Sequence, residues 1–279
     1  MRILNFEEHK IPVDRWVQDG VDWLVMNYRD LFQMIKAPVE AALDGLLWLF
    51  EVLPPSVIIL LFAAAAWRYA SKGVTVFTLV TMLVVGYLGL WEETMTTLAM
   101  VICAVSFCAV TGIPLGIMAG RSDRFEMILR PFLDVMQTTP PFVYLVPVVM
   151  LFSIGTVSGI LATIVFALPP IIRLTSLGIR HVHPELVEAA VAFGATPWQV
   201  LRRVQFPLAL PSIMAGLNQT IMMALSMVVI AALIGAGGLG NPVVQGLNTL
   251  EIGLATIGGL AIVLLAMVLD RITQGIGQR

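Results

Sequence analysis

Apolar residues are gathered along this chain in seven long stretches, at 53–70, 74–91, 94–119, 132–152, 157–177, 207–234 and 251–270. A helix needs roughly 20 apolar residues to cross the hydrocarbon core, so each stretch is predicted as a membrane-spanning helix. The fourth and fifth are parted only by Ser153-Ile154-Gly155-Thr156, a short turn. Between the fifth and sixth, a polar island from Arg180 to Pro211 interrupts the pattern.

The first fifty residues follow a different rule. Apolar side chains recur at Val13, Trp16, Val17, Val21, Leu24, Val25, Tyr28, Phe32 and Ile35. Asp14, Gln18, Asp19, Asp22, Arg29, Asp30 and Gln33 fall mainly between them. This is helical periodicity with a polar face, suited to lying in the membrane interface or packing across the spans of a partner. Charges recur too often for a span, and the segment is too short to build a soluble core. Pro38 is expected to break or bend the helix, leaving Ala41–Leu53 as a second piece.

Composition agrees with the pattern. The chain has 279 residues, 58% of them hydrophobic and 12% charged, against about 25% charged in soluble domains. An all-α polytopic membrane protein is therefore expected, with about seven transmembrane helices. The net charge of -2 argues against a nucleic-acid partner. The N-terminus lacks the basic start and short apolar core of a signal peptide. Cys103 and Cys108 read as apolar filler inside one stretch.

Charge also orients the spans. One set of loops holds Arg68, Lys72, Arg121, Arg124, Arg130, Arg173, Arg180, Arg202, Arg203, Arg271 and Arg279. The other set, near 91–93, 153–156 and 235–250, holds no lysine or arginine. By the positive-inside rule the island and the C-terminus lie in the cytoplasm. Seven spans then place the N-terminus outside. There Glu7, Glu8, Asp14, Asp19, Asp22, Asp30, Glu40, Asp44 and Glu51 outnumber Arg2, Lys10, Arg15, Arg29 and Lys36.

The island has local structure of its own. Glu185 to Ala192 favours helix, with small faces at Ala189, Ala190 and Ala192 that permit close approach. Gly194, followed by Ala195, ends that helix through a positive φ. Thr196 is an N-cap with Pro197 at the first helical position, opening a second helix through Arg203. Phe206-Pro207 then turns the chain back into the membrane. Such a helix–turn–helix is a docking protrusion for another protein.

In this sequence Glu188-Ala189-Ala190, Gly194, Val204 and Pro207 fit the spacing of the E-A-A loop in membrane subunits of ATP-binding-cassette importers. Phe206 stands where that pattern usually has leucine. The loop resembles the coupling helix of those subunits, which sits in a groove of the ATPase. The resemblance implies ATPase-coupling roles for Glu185, Glu188, Ala189, Ala190, Gly194, Ala195 and Pro197. Two further stretches narrow it. They are Asp134-Val-Met-Gln137-Thr138-Thr139-Pro140-Pro141-Phe-Val-Tyr144-Leu-Val-Pro147 and Gly216-Leu-Asn218-Gln219-Thr220 continuing to Ser226-Met227 and Gly240. Over about residues 90–275 the chain is similar to permeases of glycine betaine/proline betaine importers, a branch that includes choline and carnitine systems. The similarity implies a type I importer permease core in a bacterial inner membrane. It also implies a homodimer of this chain in membrane lipid, two cytoplasmic ATPase subunits, and an extracytoplasmic substrate-binding protein, separate or fused. ATP and Mg belong to the ATPase, and no cofactor to this chain. Residues 1–52 form the interfacial helices, 53–92 accessory spans, and 93–279 the core with its coupling loop at 180–207.

Polar side chains within spans usually face a bundle interior or a water-filled path. Gln137, Thr138, Thr139, Asn218, Gln219, Thr220 and Ser226 are such groups. A quaternary ammonium has no N–H to donate, so its path suits aromatic faces and soft surfaces. Tyr144, Phe142, Met222, Met223 and Met227 supply these. The same residue types also glue membrane helices together, a reading that stays open for each. Pro140, Pro141 and Pro147 shape the helix.

Other signals are rejected. Gly235-Ala-Gly237-Gly238-Leu-Gly240 matches a dinucleotide fingerprint in letters, but it ends a span and reads as a tight turn. No phosphate-binding G-x-x-x-x-G-K-[ST] occurs. His181 and His183 lack a third ligand, so no metal is expected. Glu92-Glu93 reads as a solvated pair and Asp270-Arg271 as an interfacial anchor. No nucleophile–base pair appears, so the chain is not expected to be an enzyme. The alternatives are a permease for an amino acid such as methionine, and an ion-coupled secondary transporter, which usually shows internal repeats.

Overall fold

A computed structural model describes residues 13–277. Arg2, Glu7, Glu8, Lys10 and Arg279 of the charge pattern, and the side chains of Val13 and Asp14, lie outside the described residues. All regular structure within that range is helical.

The N-terminal helix α1, Val13–Val52, continues unbroken through Pro38. The expected break lies instead at Tyr28, whose φ of -125° and ψ of 24° leave the helical region. Packing explains the shift. Val39 and Leu43 are buried among Ala99, Met100, Cys103, Ala104 and Ile160, and Phe32 meets Phe152 edge to face at 5.5 Å. These contacts hold the helix on both sides of the proline. Before Tyr28 they cease, and Trp16, Trp23 and Met26 are exposed.

A turn of 109° leads to α2, Pro55–Tyr69, which pairs with α3, Lys72–Tyr87. These are the first two expected spans, at 15 and 16 residues. The Ser71 hydroxyl accepts the Val74 N–H and caps α3. Four helices are long and apolar enough to cross a membrane alone. They are α4 (Trp91–Arg121), α7 (Thr156–Arg180), a continuous helix Pro197–Ala232, and α12 (Ile252–Gly277).

The fourth expected span, 132–152, is not one helix. It is divided between α5, Asp123–Thr138, and α6, Pro141–Phe152, which meet at 101°. A residue before proline is pushed out of the α region. Thr139 precedes Pro140 and takes ψ 127°; Pro140 precedes Pro141 and takes ψ 140°. The 12 residues of α6 rise about 18 Å, short of a full crossing. α5 is amphipathic and carries Asp123, Arg124, Glu126, Arg130 and Asp134.

The core is a sandwich of α4, α7 and α10 (Phe206–Ala232) built on glycine. Gly112, Gly116 and Gly120 recur every fourth residue along α4. A Cβ on each would lie 2.5 Å from Ile171 Cγ2, 2.5 Å from Thr175 Cβ and 2.8 Å from Ile179 Cβ, all on α7. On an adjacent face of α7, a Cβ on Gly178 would lie 2.8 Å from Ser212 Cβ of α10. Gly216 of α10 in turn sits against Leu174 and Ile171. Small residues let membrane helix backbones approach, where dispersion holds them without help from the hydrophobic effect.

Gly116→Ala is therefore expected to cost about 2 kcal/mol by overpacking, read as a lower melting temperature of the purified protein in detergent. Gly45→Ala, where nothing lies within 4 Å of the added carbon, should leave that temperature unchanged or slightly raised.

Candidate functional site

The polar island protrudes from the arginine-bearing end of the bundle. Its first helix, α8 (Pro184–Ala192), buries no residue. The helix closes on three backbone bonds: Phe193 N–H to Ala189 O at 3.1 Å, Gly194 N–H to Val191 O at 2.8 Å, and Ala195 N–H to Ala190 O at 3.0 Å. The last two form a Schellman motif, which requires a left-handed residue at its centre. Gly194 supplies it with φ 81°. Ala190 and Ala195 thus act through their main chains, while Glu185, Glu188 and Ala189 lie exposed on α8.

Thr196 opens α9, Pro197–Val200, with a capping box. Its hydroxyl accepts the Gln199 N–H at 3.4 Å, and the Gln199 side chain accepts the Thr196 N–H at 2.8 Å. Pro197 sits in the first turn, where its missing N–H costs nothing. The result is a stiff knuckle with an unpartnered apolar crest. Phe193 is 93% exposed and Trp198 64%, with Leu186 and Val191 beside them. Among the described residues, no neighbouring element covers these side chains.

Beyond α9 the structure departs from expectation. Phe206-Pro207 does not turn the chain. A π-helical turn, Leu201–Gln205, joins α9 to α10 as one continuous 36-residue helix. Pro207 has no N–H to offer the preceding turn, and its ring crowds the carbonyl four residues back. A widened turn before it, with Phe206 N–H bonding Leu201 O, relieves that crowding without ending the helix.

The root of the knuckle is clasped. Arg180, at the end of α7, donates to Asp123 Oδ1 at 2.6 Å and to the Ala119 carbonyl at 2.7 Å, and forms an ion pair with Glu126 Oε2 at 2.7 Å. Arg173 pairs with Asp134. These three ion pairs fasten α5 to α7 beside the point where the protrusion leaves the bundle.

The polar residues singled out within the spans are divided between surfaces. Gln219 and Ser226 share an open face of α10 with Met222. Thr220 and Met227 are fully buried on another face, Met227 among Leu145, Val148 and Ala162. Met223 is half-buried against the main core. Asn218 is turned towards α12, where its amide N–H donates to Asp270 at 2.8 Å. At the α5–α6 bend, Thr138 donates to Asp134 O and Thr139 to Val135 O, while Gln137 is half-buried. Tyr144 reaches back across the bend and donates to Met136 O at 2.6 Å. Sequence reasoning missed the glycine stripe of α4, whose four-residue period was there to be read, and the Asp270 contact, for which no local signal exists.

At the opposite end, Gly235, Gly237 and Gly238 all have positive φ, as a tight turn demands. Thr97 Oγ1 accepts the Leu239 N–H at 2.8 Å and packs where a Cβ of Gly238 would stand. The glycine run is a fastened turn. His181 and His183 are exposed, and among the described residues no group of three or more His, Cys, Asp or Glu is placed to hold a metal. Removing the capping box by Thr196→Ala should cost the knuckle about 1 kcal/mol. Hydrogen exchange should show it as faster exchange at Gln199 and Val200, with the amides of α7 unchanged.

Comparison with known proteins matches residues 112–279 to the family described as "Binding-protein-dependent transport system inner membrane component". Over 98% of its length the chain is 53% identical to the glycine betaine/proline betaine transport system permease protein ProW of Escherichia coli (strain K12), covering 77% of that protein. It is 43% identical over 96% of its length to the glycine betaine transport system permease protein OpuAB of Bacillus subtilis (strain 168), covering 95% of it. Among solved structures, a chain of the MetNI methionine ABC transporter in an inward-facing conformation is similar. That chain is 26% identical with a TM-score of 0.55, the match covering 65% of this chain and 93% of that one.

Proposed function

The chain belongs to the family of binding-protein-dependent transport system inner membrane components, and from that premise we propose that it is the membrane-spanning subunit of an ATP-driven importer for glycine betaine, proline betaine and related quaternary ammonium solutes. It is a transport component and not an enzyme. The family's assembly supplies an ATPase and a substrate-binding protein. ATP and Mg are then held by the ATPase.

The observation that carries the reading is the knuckle. A left-handed glycine, a capping box and an arginine clasp hold two short helices rigid, with Phe193 and Trp198 in the open. An exposed apolar crest of this kind is a docking surface. We assign it to the groove of a cytoplasmic ATPase, with Glu185 and Glu188 meeting polar groups at the rim. This sidedness rests on the arginine distribution and puts the Gly235–Gly240 turn outside, towards the binding protein. A second copy of the chain completes the path. Gln219, Met222 and Ser226 form the stripe of α10 placed towards it, with Gln137, Thr138 and Thr139 at the α5–α6 bend and Tyr144 beside them. Thr220 and Met227 serve packing.

The substrate class rests on the named relatives at 53% and 43% identity. A methionine substrate has only the 26% identity of the MetNI chain behind it. A permanently charged quaternary ammonium has no N–H, so a path of amide, hydroxyl and thioether groups passes it without trapping it.

The test is reconstitution in liposomes with the ATPase and binding protein. Glycine betaine should raise ATP hydrolysis and accumulate inside; methionine should do neither. Gly194→Trp forces a bulky residue into a left-handed position and should reorient the crest. If that removes about 2 kcal/mol of docking energy, ATPase affinity drops about thirtyfold, seen as loss of co-purification and uptake. Full coupling in Gly194→Trp would sink the docking assignment, and methionine-driven accumulation the substrate assignment.

A further inference from the structure

Asp270 stands in the last third of α12 with mainly apolar residues above it. Its carboxylate is half-buried, and among the described residues no cation lies within ion-pair distance. One oxygen, Oδ1, accepts the Asn218 amide at 2.8 Å and the Gln274 amide at 2.7 Å. The Thr273 hydroxyl lies 2.7 Å from Asn218 Oδ1 and 2.7 Å from the Leu269 carbonyl, so its single hydrogen serves one of the two. Asn218 thus offers α12 both its donor and its acceptor. Burying a carboxylate is costly unless hydrogen bonds satisfy it. A carboxylate accepting N–H bonds holds them more strongly than a neutral acceptor does.

We propose that Asp270 is a positioning residue for coupling, pinning α10 to α12 so that displacement of the knuckle is passed on to α12 and, through it, to α11 (Gly240–Thr249). The path is mechanical. Asn218 rides on the same unbroken helix as Trp198. Apolar helix faces can slide past one another, whereas a directed hydrogen bond to a fixed carboxylate resists sliding. At the far end α12 is keyed into α11: a Cβ on Gly246 would lie 2.5 Å from the Ala255 nitrogen, and one on Gly258 3.0 Å from Val243. A load on the knuckle at one end of the bundle therefore has a route to α11 at the other through the Asn218–Asp270 contact, beside the direct packing of Gly240 on Val228 and Ala232 of α10. Asp270 touches no substrate in this scheme, and the scheme rests on the importer reading.

The test uses the whole assembly in liposomes, with glycine betaine uptake and ATP hydrolysis measured together. Asp270→Ala should keep its ATPase partner and its hydrolysis while uptake per ATP falls about tenfold. Asp270→Asn, which keeps the volume and the acceptor, should fall less. Asn218→Asp combined with Asp270→Asn reverses donor and acceptor and should recover uptake per ATP to within about threefold of wild type. Unchanged uptake per ATP in Asp270→Ala overturns the proposal. So does a parallel loss of uptake and hydrolysis, or a reciprocal pair no better than its parts. Failure of the wild-type assembly to show ATP-dependent uptake is a different result and overturns the importer reading itself.

Discussion

Everything in this fold hangs on how closely three helix backbones come together. In lipid there is no hydrophobic effect to press α4, α7 and α10 into contact. They are held by dispersion between surfaces with almost no side chain between them. Gly112, Gly116 and Gly120 open a groove on α4 that receives Ile171, Thr175 and Ile179. Gly178 and Gly216 do the same between α7 and α10. Because α7 is gripped on two adjacent faces, Arg180 at its end is held in place, and so is the start of the loop beyond it. The protruding loop inherits its position from glycines buried between the helices.

Features governed by a residue and its chain neighbours were legible in the sequence. The apolar stretches, the left-handed Gly194, the Thr196 cap and the glycine turn at 235–240 all depend on local backbone preferences or simple period counting. The differences arise where two rules compete. Pro38 looked like a break, but contacts of Val39 and Leu43 with α4 and α7 hold the helix through it, and the break moves to Tyr28, where packing ends. Thr139-Pro140-Pro141 lay inside an apolar run, and hydropathy concealed the turn that the prolines' neighbours must make. Pro207 marked strain correctly, but the chain answered by widening a turn and not by stopping. Asn218 read as a path residue because a polar letter in an apolar span gives no direction. Only the position of Asp270, 52 residues away, shows which way it faces.

The polar groups of the bundle fall into two working classes. Arg173, Arg180, Asp123, Glu126, Asp134, Asn218 and Asp270 are spent on one another and fix helices. Gln219 and Ser226 remain on an open face of α10, with no long-range partner among the described residues. Both kinds occur on the same helix. α10 carries them within nine residues, on different faces.

The π-helical turn at Leu201–Gln205 sets the angular phase between the knuckle and the membrane. An α-helix advances about 100° per residue, and a π-turn accommodates one residue more than an α-turn. That single residue decides which way Trp198 and the crest beyond it point around the axis of α10. Along most of a surface loop, losing or gaining one residue is absorbed locally. Here it would swing the crest by more than a quarter of a circle while every membrane contact stayed in register. Chain length through this turn is thus a compass setting, independent of which side chains occupy it.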